Sequence, residues 1–80
     1  MQVTVVSPER TVFDGEADSL VVPAFDGLVG ILPGHAPFLT LLGAGRLRVR
    51  RGGAVSEFGV AGGFLQVTRR AVRVVADRVT

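Results

Sequence analysis

Residues 46–50 read Arg46-Leu47-Arg48-Val49-Arg50, and this strict alternation decides the fold class. Successive side chains of an extended strand point to opposite faces, so Leu47 and Val49 enter a core while three arginines face solvent or a partner. Working outward, β-branched segments recur at Val3 to Ser7, Ala17 to Val22, Leu28 to Leu32, Val55 to Val60, Phe64 to Thr68 and Ala71 to Ala76. The chain has fifteen valines, a residue stiff at χ1 and suited to a pleated surface. Between the segments stand turn signals: Pro8, Asp14-Gly15, Asp26-Gly27, Pro33-Gly34, Gly43-Ala44-Gly45, Gly52-Gly53, Gly62-Gly63 and Thr68-Arg69-Arg70. Their spacing of roughly eight to twelve residues predicts an all-β sandwich or barrel of short strands. Helix competes only after Gly63, where Phe64, Val67, Ala71, Val75 and Val79 approximate a helical stripe. Valine content favours strands there too, with Leu65, Val67, Val72 and Val74 facing the core.

Eighty residues, 8.4 kDa, make one domain over residues 1–80. With 48% hydrophobic and 20% charged residues the chain is too apolar to stay disordered. Its longest apolar stretch, Gly27 to Pro33, is far short of the ~20 residues of a spanning helix, and no basic segment precedes an apolar block at the N-terminus. Membrane insertion is therefore not expected, and neither is a secretory signal. The absence of cysteine excludes disulfides, zinc-thiolate sites and thiol nucleophiles. The absence of lysine excludes Schiff bases, the P-loop amine and biotinyl or lipoyl attachment. No cofactor is expected. Net charge is only +2, but residues 1–40 hold five acids against one arginine, net −4, and residues 41–80 eight arginines against two acids, net +6. Such asymmetry marks an interaction surface.

Residues 26–40 are dense in glycine and proline yet apolar. Asp26-Gly27 favours a tight turn, Gly30 suggests a bulge or a close backbone approach, and Pro33-Gly34 suits a type II turn. Pro37 holds Ala36 extended. Together they read as one stiff hydrophobic tip, either a docking surface or a corner folded under its own sandwich. His35, the only imidazole, has no nucleophile pattern and no adjacent acid, which favours a turn or interface role over catalysis. Asp14, Glu16 and Asp18 alternate and would share a strand face, solvated or arginine-paired rather than metal-binding. The basic half has only Phe58 and Phe64 as aromatics, both at core-phase positions. Stacking on bases is poorly provided for, so a nucleic-acid-binding module is the alternative rather than the leading reading.

The ordered run Asp26-Gly27-Leu28-Val29-Gly30-Ile31-Leu32-Pro33-Gly34-His35-Ala36-Pro37-Phe38-Leu39-Thr40 resembles the epsilon subunit of F-type ATP synthases. The likeness extends through Val5 to Glu9 with Val12-Phe13, Gly45 to Val49, Gly62 to Val67 as a Gly-Gly hairpin, and Val74 to Asp77, covering essentially the whole chain. It implies a β-sandwich of about ten strands in two sheets. It also implies a non-catalytic place in the central stalk, joining the gamma subunit to the membrane c-subunit ring, peripheral to the cytoplasmic face of a bacterial plasma membrane or its organellar equivalent. Asp26, Gly27, Leu28, Val29, Gly30, Pro33, Gly34 and His35 match the part that faces the ring, and Ser7, His35 and Thr40 match positions near the gamma and ring contacts. Leu28 stands where members often carry an acid. Members usually continue into a helical hairpin that inhibits hydrolysis and sometimes binds nucleotide, and the resemblance without it implies a chain that couples but neither inhibits nor binds ATP.

Overall fold

A computed structural model describes residues 1–80 as eight strands and no helix. They are β1 (Gln2–Val6), β2 (Thr11–Glu16), β3 (Ser19–Ala24), β4 (Gly27–Ile31), β5 (Phe38–Leu41), β6 (Ala44–Arg51), β7 (Ala54–Val67) and β8 (Ala71–Val79). Hydrogen bonds link them in the order β2-β1-β8-β7-β6-β3-β4, with β5 beside the second half of β7. All pairs are antiparallel except β1 with β8, which run parallel with Gln2 opposite Ala71 and Val6 opposite Val75. Seven strands laid flat at ~4.8 Å would span about 29 Å between the outermost axes and leave β1 remote from β3. The molecule measures only 25 × 24 × 19 Å, and Val3 and Val5 of β1 share one core with Leu20 and Val22 of β3. The sheet therefore folds over on itself into two layers. One holds β2, β1, β8, the end of β7 and β5; the other holds the start of β7, β6, β3 and β4.

The all-β sandwich expected from the sequence is what is found; its strands number eight rather than about ten, and its two layers belong to one continuous sheet rather than two, because β7 runs through both. Gly62 and Gly63 are not a hairpin; β7 passes through them while still paired with β8. Both have positive φ, +70° and +106°. At Gly63 a side-chain carbon would overlap the Val75 carbonyl oxygen, so only glycine permits the two strands to approach there. This bend also resets the side-chain alternation. Before it Phe58 and Val60 face inward; after it Leu65 and Val67 do, and Phe64, expected in the core, is turned out. Asp14-Gly15, read as a turn, lies inside β2, opposite Thr4 and Val3.

Elsewhere the alternation behaves as the sequence predicts. Leu47 and Val49 are 0% and 1% exposed while Arg46, Arg48 and Arg50 are on the surface. Leu65, Val67, Val72 and Val74 are buried in the same core, and the residues after Gly63 form strands rather than a helix. No polar or charged residue is buried, so the side-chain interior is hydrocarbon, and its cohesion comes from area removed from water.

Candidate functional site

The residues singled out between Asp26 and Thr40 do not form one tip. The turn Phe25-Asp26 leads into β4, which pairs with β3 from Ala24 opposite Gly27 to Leu20 opposite Ile31. Five strand residues carry the chain about 13 Å, so Asp26 and Gly27 lie at one end of β4 and Pro33, Gly34 and His35 at the other. Leu28, Val29 and Gly30 occupy the strand between. It is an edge strand, and Leu28 is 73% exposed. Gly30 is neither a bulge nor a close approach: it pairs in register with Val21 and has open space about it.

The second turn is built as expected. The His35 amide donates to the Leu32 carbonyl at 3.1 Å, closing a four-residue turn with Pro33 second and Gly34, φ +84°, third. His35 then folds back: its Nδ1 donates to the Ala36 carbonyl at 2.9 Å, and its ring lies 5.1 Å from that of Phe38. A carbonyl only accepts, so Nδ1 carries a proton in this contact. Arg69, from the β7–β8 turn, completes the groove around Gly34, His35, Ala36 and Pro37.

Ser7 follows β1 and closes its own turn, its amide bonding the Arg10 carbonyl at 2.9 Å and its hydroxyl bridging Arg10 at 3.3 Å. Thr40 is half-buried on β5, opposite the fully buried Leu65, so it shares the inward face while Leu39 and Leu41 on either side point out. The acids are also divided. Asp14 accepts from Gln2 and Thr4, whereas Asp18 has crossed to the other layer and accepts from the Gly52 amide at 2.6 Å.

The strand registers reveal a surface that the sequence does not announce. Val6 lies opposite Val75, Val75 opposite Phe64, and Phe64 opposite Leu41. Residues directly opposite share a face, so four strands contribute one apolar row across the outer side of a layer. Leu41 is 62% exposed and Leu39, one row along, 68%. Together with Phe64 and Thr40 these leucines border a shallow hollow of about 430 Å³. Ser7 adjoins this row at the β1 end; at the other end the Phe25 amide bonds the Leu41 carbonyl. No group in this region or elsewhere brings three metal-ligating side chains together.

Residues 1–80 match the profile of the ATP synthase delta/epsilon chain β-sandwich domain along their whole length. The chain belongs to that family. Among curated relatives, the ATP synthase epsilon chain of Leptospira borgpetersenii is 44% identical over 96% of this chain and 61% of its own length. That of Desulforamulus reducens is 47% identical over 91% of this chain and 55% of its own. The family member from Frankia casuarinae is 44% identical, and there the alignment takes in 92% of the relative. This delta/epsilon domain thus spans about three fifths of the longer relatives and nearly all of the shortest of the three. In fold it is similar to a chain of the Euglena gracilis mitochondrial ATP synthase, TM-score 0.89 at 22% identity, covering 98% of this chain and 51% of the other. A chain of the Tetrahymena thermophila central stalk and c ring gives 0.82 at 15% identity, covering 99% and 64%.

Proposed function

We propose that this chain is a non-catalytic rotor subunit of an F-type ATP synthase, joining the gamma subunit to the c ring so that proton-driven rotation is delivered to the catalytic head. The observation that carries the reading is the family match over all 80 residues, with relatives named as epsilon chains. Two exposed apolar regions on one hydrocarbon-filled body also support it, since a coupling element needs two attachments and little give between them. The edge strand with Leu28, Val29 and Gly30, the Asp26-Gly27 turn before it and the Pro33-Gly34-His35 turn after it form the ring-facing side. The row Val6, Val75, Phe64 and Leu41, with Ser7 at its margin and Thr40 holding Leu39 and Leu41 outward, is the gamma-facing side. A peripheral position on the cytoplasmic face of a bacterial membrane, or its organellar equivalent, follows from that assembly, and no helix here is long and apolar enough to cross a bilayer.

The test is reconstitution, in membrane vesicles, with complex depleted of its own epsilon chain. Addition of the chain is expected to restore proton-driven ATP synthesis and to bring gamma down with it on affinity capture. Leu41→Asp with Phe64→Ser should abolish gamma capture while the domain stays folded. If neither gamma nor the ring is captured by the unaltered chain, the reading fails.

A further inference from the structure

The outer face of the second layer carries a feature that neither apolar surface absorbs. Arg46, Arg48 and Arg50 stand in line along β6, all exposed. Their neighbours across the ladders are Gly59, Glu57 and Val55 of β7, and Val21 and Ser19 of β3. Glu57 is the sole carboxylate among them. It meets Arg48 Nε at 2.9 Å and reaches Arg46 Nε at 3.9 Å, so one acid serves two guanidinium groups. Arg50 has no acid within ion-pair distance, and Asp18, whose amide bonds the Arg50 carbonyl, turns its carboxylate to the Gly52 amide. Ser19, Val21, Arg48, Arg50 and Val55 border a shallow groove of about 290 Å³ beside the unpaired guanidinium.

We infer that this face docks an acidic protein segment, laid in extended form along β6 so that its alternate carboxylates meet Arg48 and Arg50. Guanidinium groups two residues apart on a strand recur every ~6.7 Å, the spacing of alternate side chains on a second extended chain. Their planar forks suit carboxylates, and arginine is among the residues enriched at protein interfaces. Nucleic acid fits less well. The face presents no exposed aromatic for base stacking, since Phe58 packs inward against Phe13, and Glu57 would repel a continuous phosphate chain. The inference goes beyond the stalk assignment and does not depend on which partner occupies the apolar row.

The test uses the 80-residue chain and a short fluorescein-labelled peptide of alternating Glu and Thr, followed by anisotropy and by amide chemical-shift mapping. Saturable, salt-sensitive binding is expected, with shifts confined to β6, β3 and the start of β7. Arg48→Gln with Arg50→Gln should weaken it about tenfold. Arg69→Gln with Arg70→Gln removes the same charge at a distant turn and should change it less than twofold. Far-UV circular dichroism confirms that each variant is folded, and Arg50→Gln alone, at an exposed side chain, serves if the double variant is not. Equal losses in both double variants would reduce the effect to net charge and overturn the inference. So would tighter binding of oligo(dT), or of phosphatidylcholine–phosphatidylglycerol vesicles, through the same arginines.

Discussion

Replacing Gly63 by alanine tests whether the sheet is continuous through its bend. The new methyl would overlap the Val75 carbonyl oxygen and stand 3.0 Å from the Ala76 Cα, both backbone atoms that no rotamer change can move aside. At φ +106° an L-residue adds about 1–2 kcal/mol of strain. Relief requires β7 and β8 to separate locally, which endangers the pairing of Gly63 with Ala76 and the 3.0 Å bond from the Leu42 amide to the Gly63 carbonyl. Each such bond is worth about 1 kcal/mol. Together these give a loss of about 3–4 kcal/mol, against a total stability of roughly 4–12 kcal/mol for a domain of this size. With no tryptophan or tyrosine in the chain, unfolding is followed by far-UV circular dichroism in urea. At a slope near 1 kcal/mol/M the midpoint should fall by about 3–4 M. Gly53→Ala is the control: its methyl meets nothing within 4 Å and its φ is not positive, so stability should hold within about 0.5 kcal/mol. A Gly63→Ala domain within about 1 kcal/mol of the parent would refute the crossing geometry.

Three further outcomes are expected. Arg48→Gln should cost only about 0.2–1 kcal/mol in the same assay, since its pair with Glu57 is solvent-exposed, whereas Leu47→Ala, one residue away and wholly buried, should cost about 2–5 kcal/mol. Leu28→Asp combined with His35→Ala should leave the melting curve nearly unchanged and yet uncouple proton flow from synthesis in reconstituted vesicles; intact coupling would remove both residues from the ring-facing side. Calorimetry with ATP should show no saturable binding to this 80-residue chain, which has neither a lysine nor a helix N-terminus to receive phosphate.

Much of this molecule was legible in its sequence wherever a local rule acts alone. Arg46 to Arg50 declared a half-buried strand because alternation needs no distant information, and Pro33-Gly34 declared its turn because the two residues fix the two φ values required. Gly62-Gly63 reads equally as a hairpin or a bend, because a positive-φ pair serves either, and only the partner strand, arriving from Ala71 onward, distinguishes them. The same bend turns Phe64, which reads as a core-phase aromatic beside Phe58, outward. The Asp14-Gly15 pair concealed β2 for a similar reason: pairing with β1 overrides a weak turn preference. The supposed single tip failed on length alone, since β4 separates its two turns. The row Val6, Val75, Phe64 and Leu41 could not be read at all, because its members come from four strands and only register brings them side by side.

The parallel pairing of β1 with β8 has a consequence for how the chain acquires its shape during synthesis. Gln2 must find Ala71, and Val6 must find Val75, so the first strand made waits for the last. Until Ala71 to Val75 have left the ribosome, Val3 and Val5 have only β2 beside them, and a two-stranded ribbon is marginal in water. Closure across nearly the entire length defers the entropic gain of contact to the end, placing this domain among slow folders, on the millisecond-to-second scale, in spite of its small size. A nascent chain arrested before Val72 should therefore remain protease-sensitive throughout, and protection should appear in one step once β8 is complete.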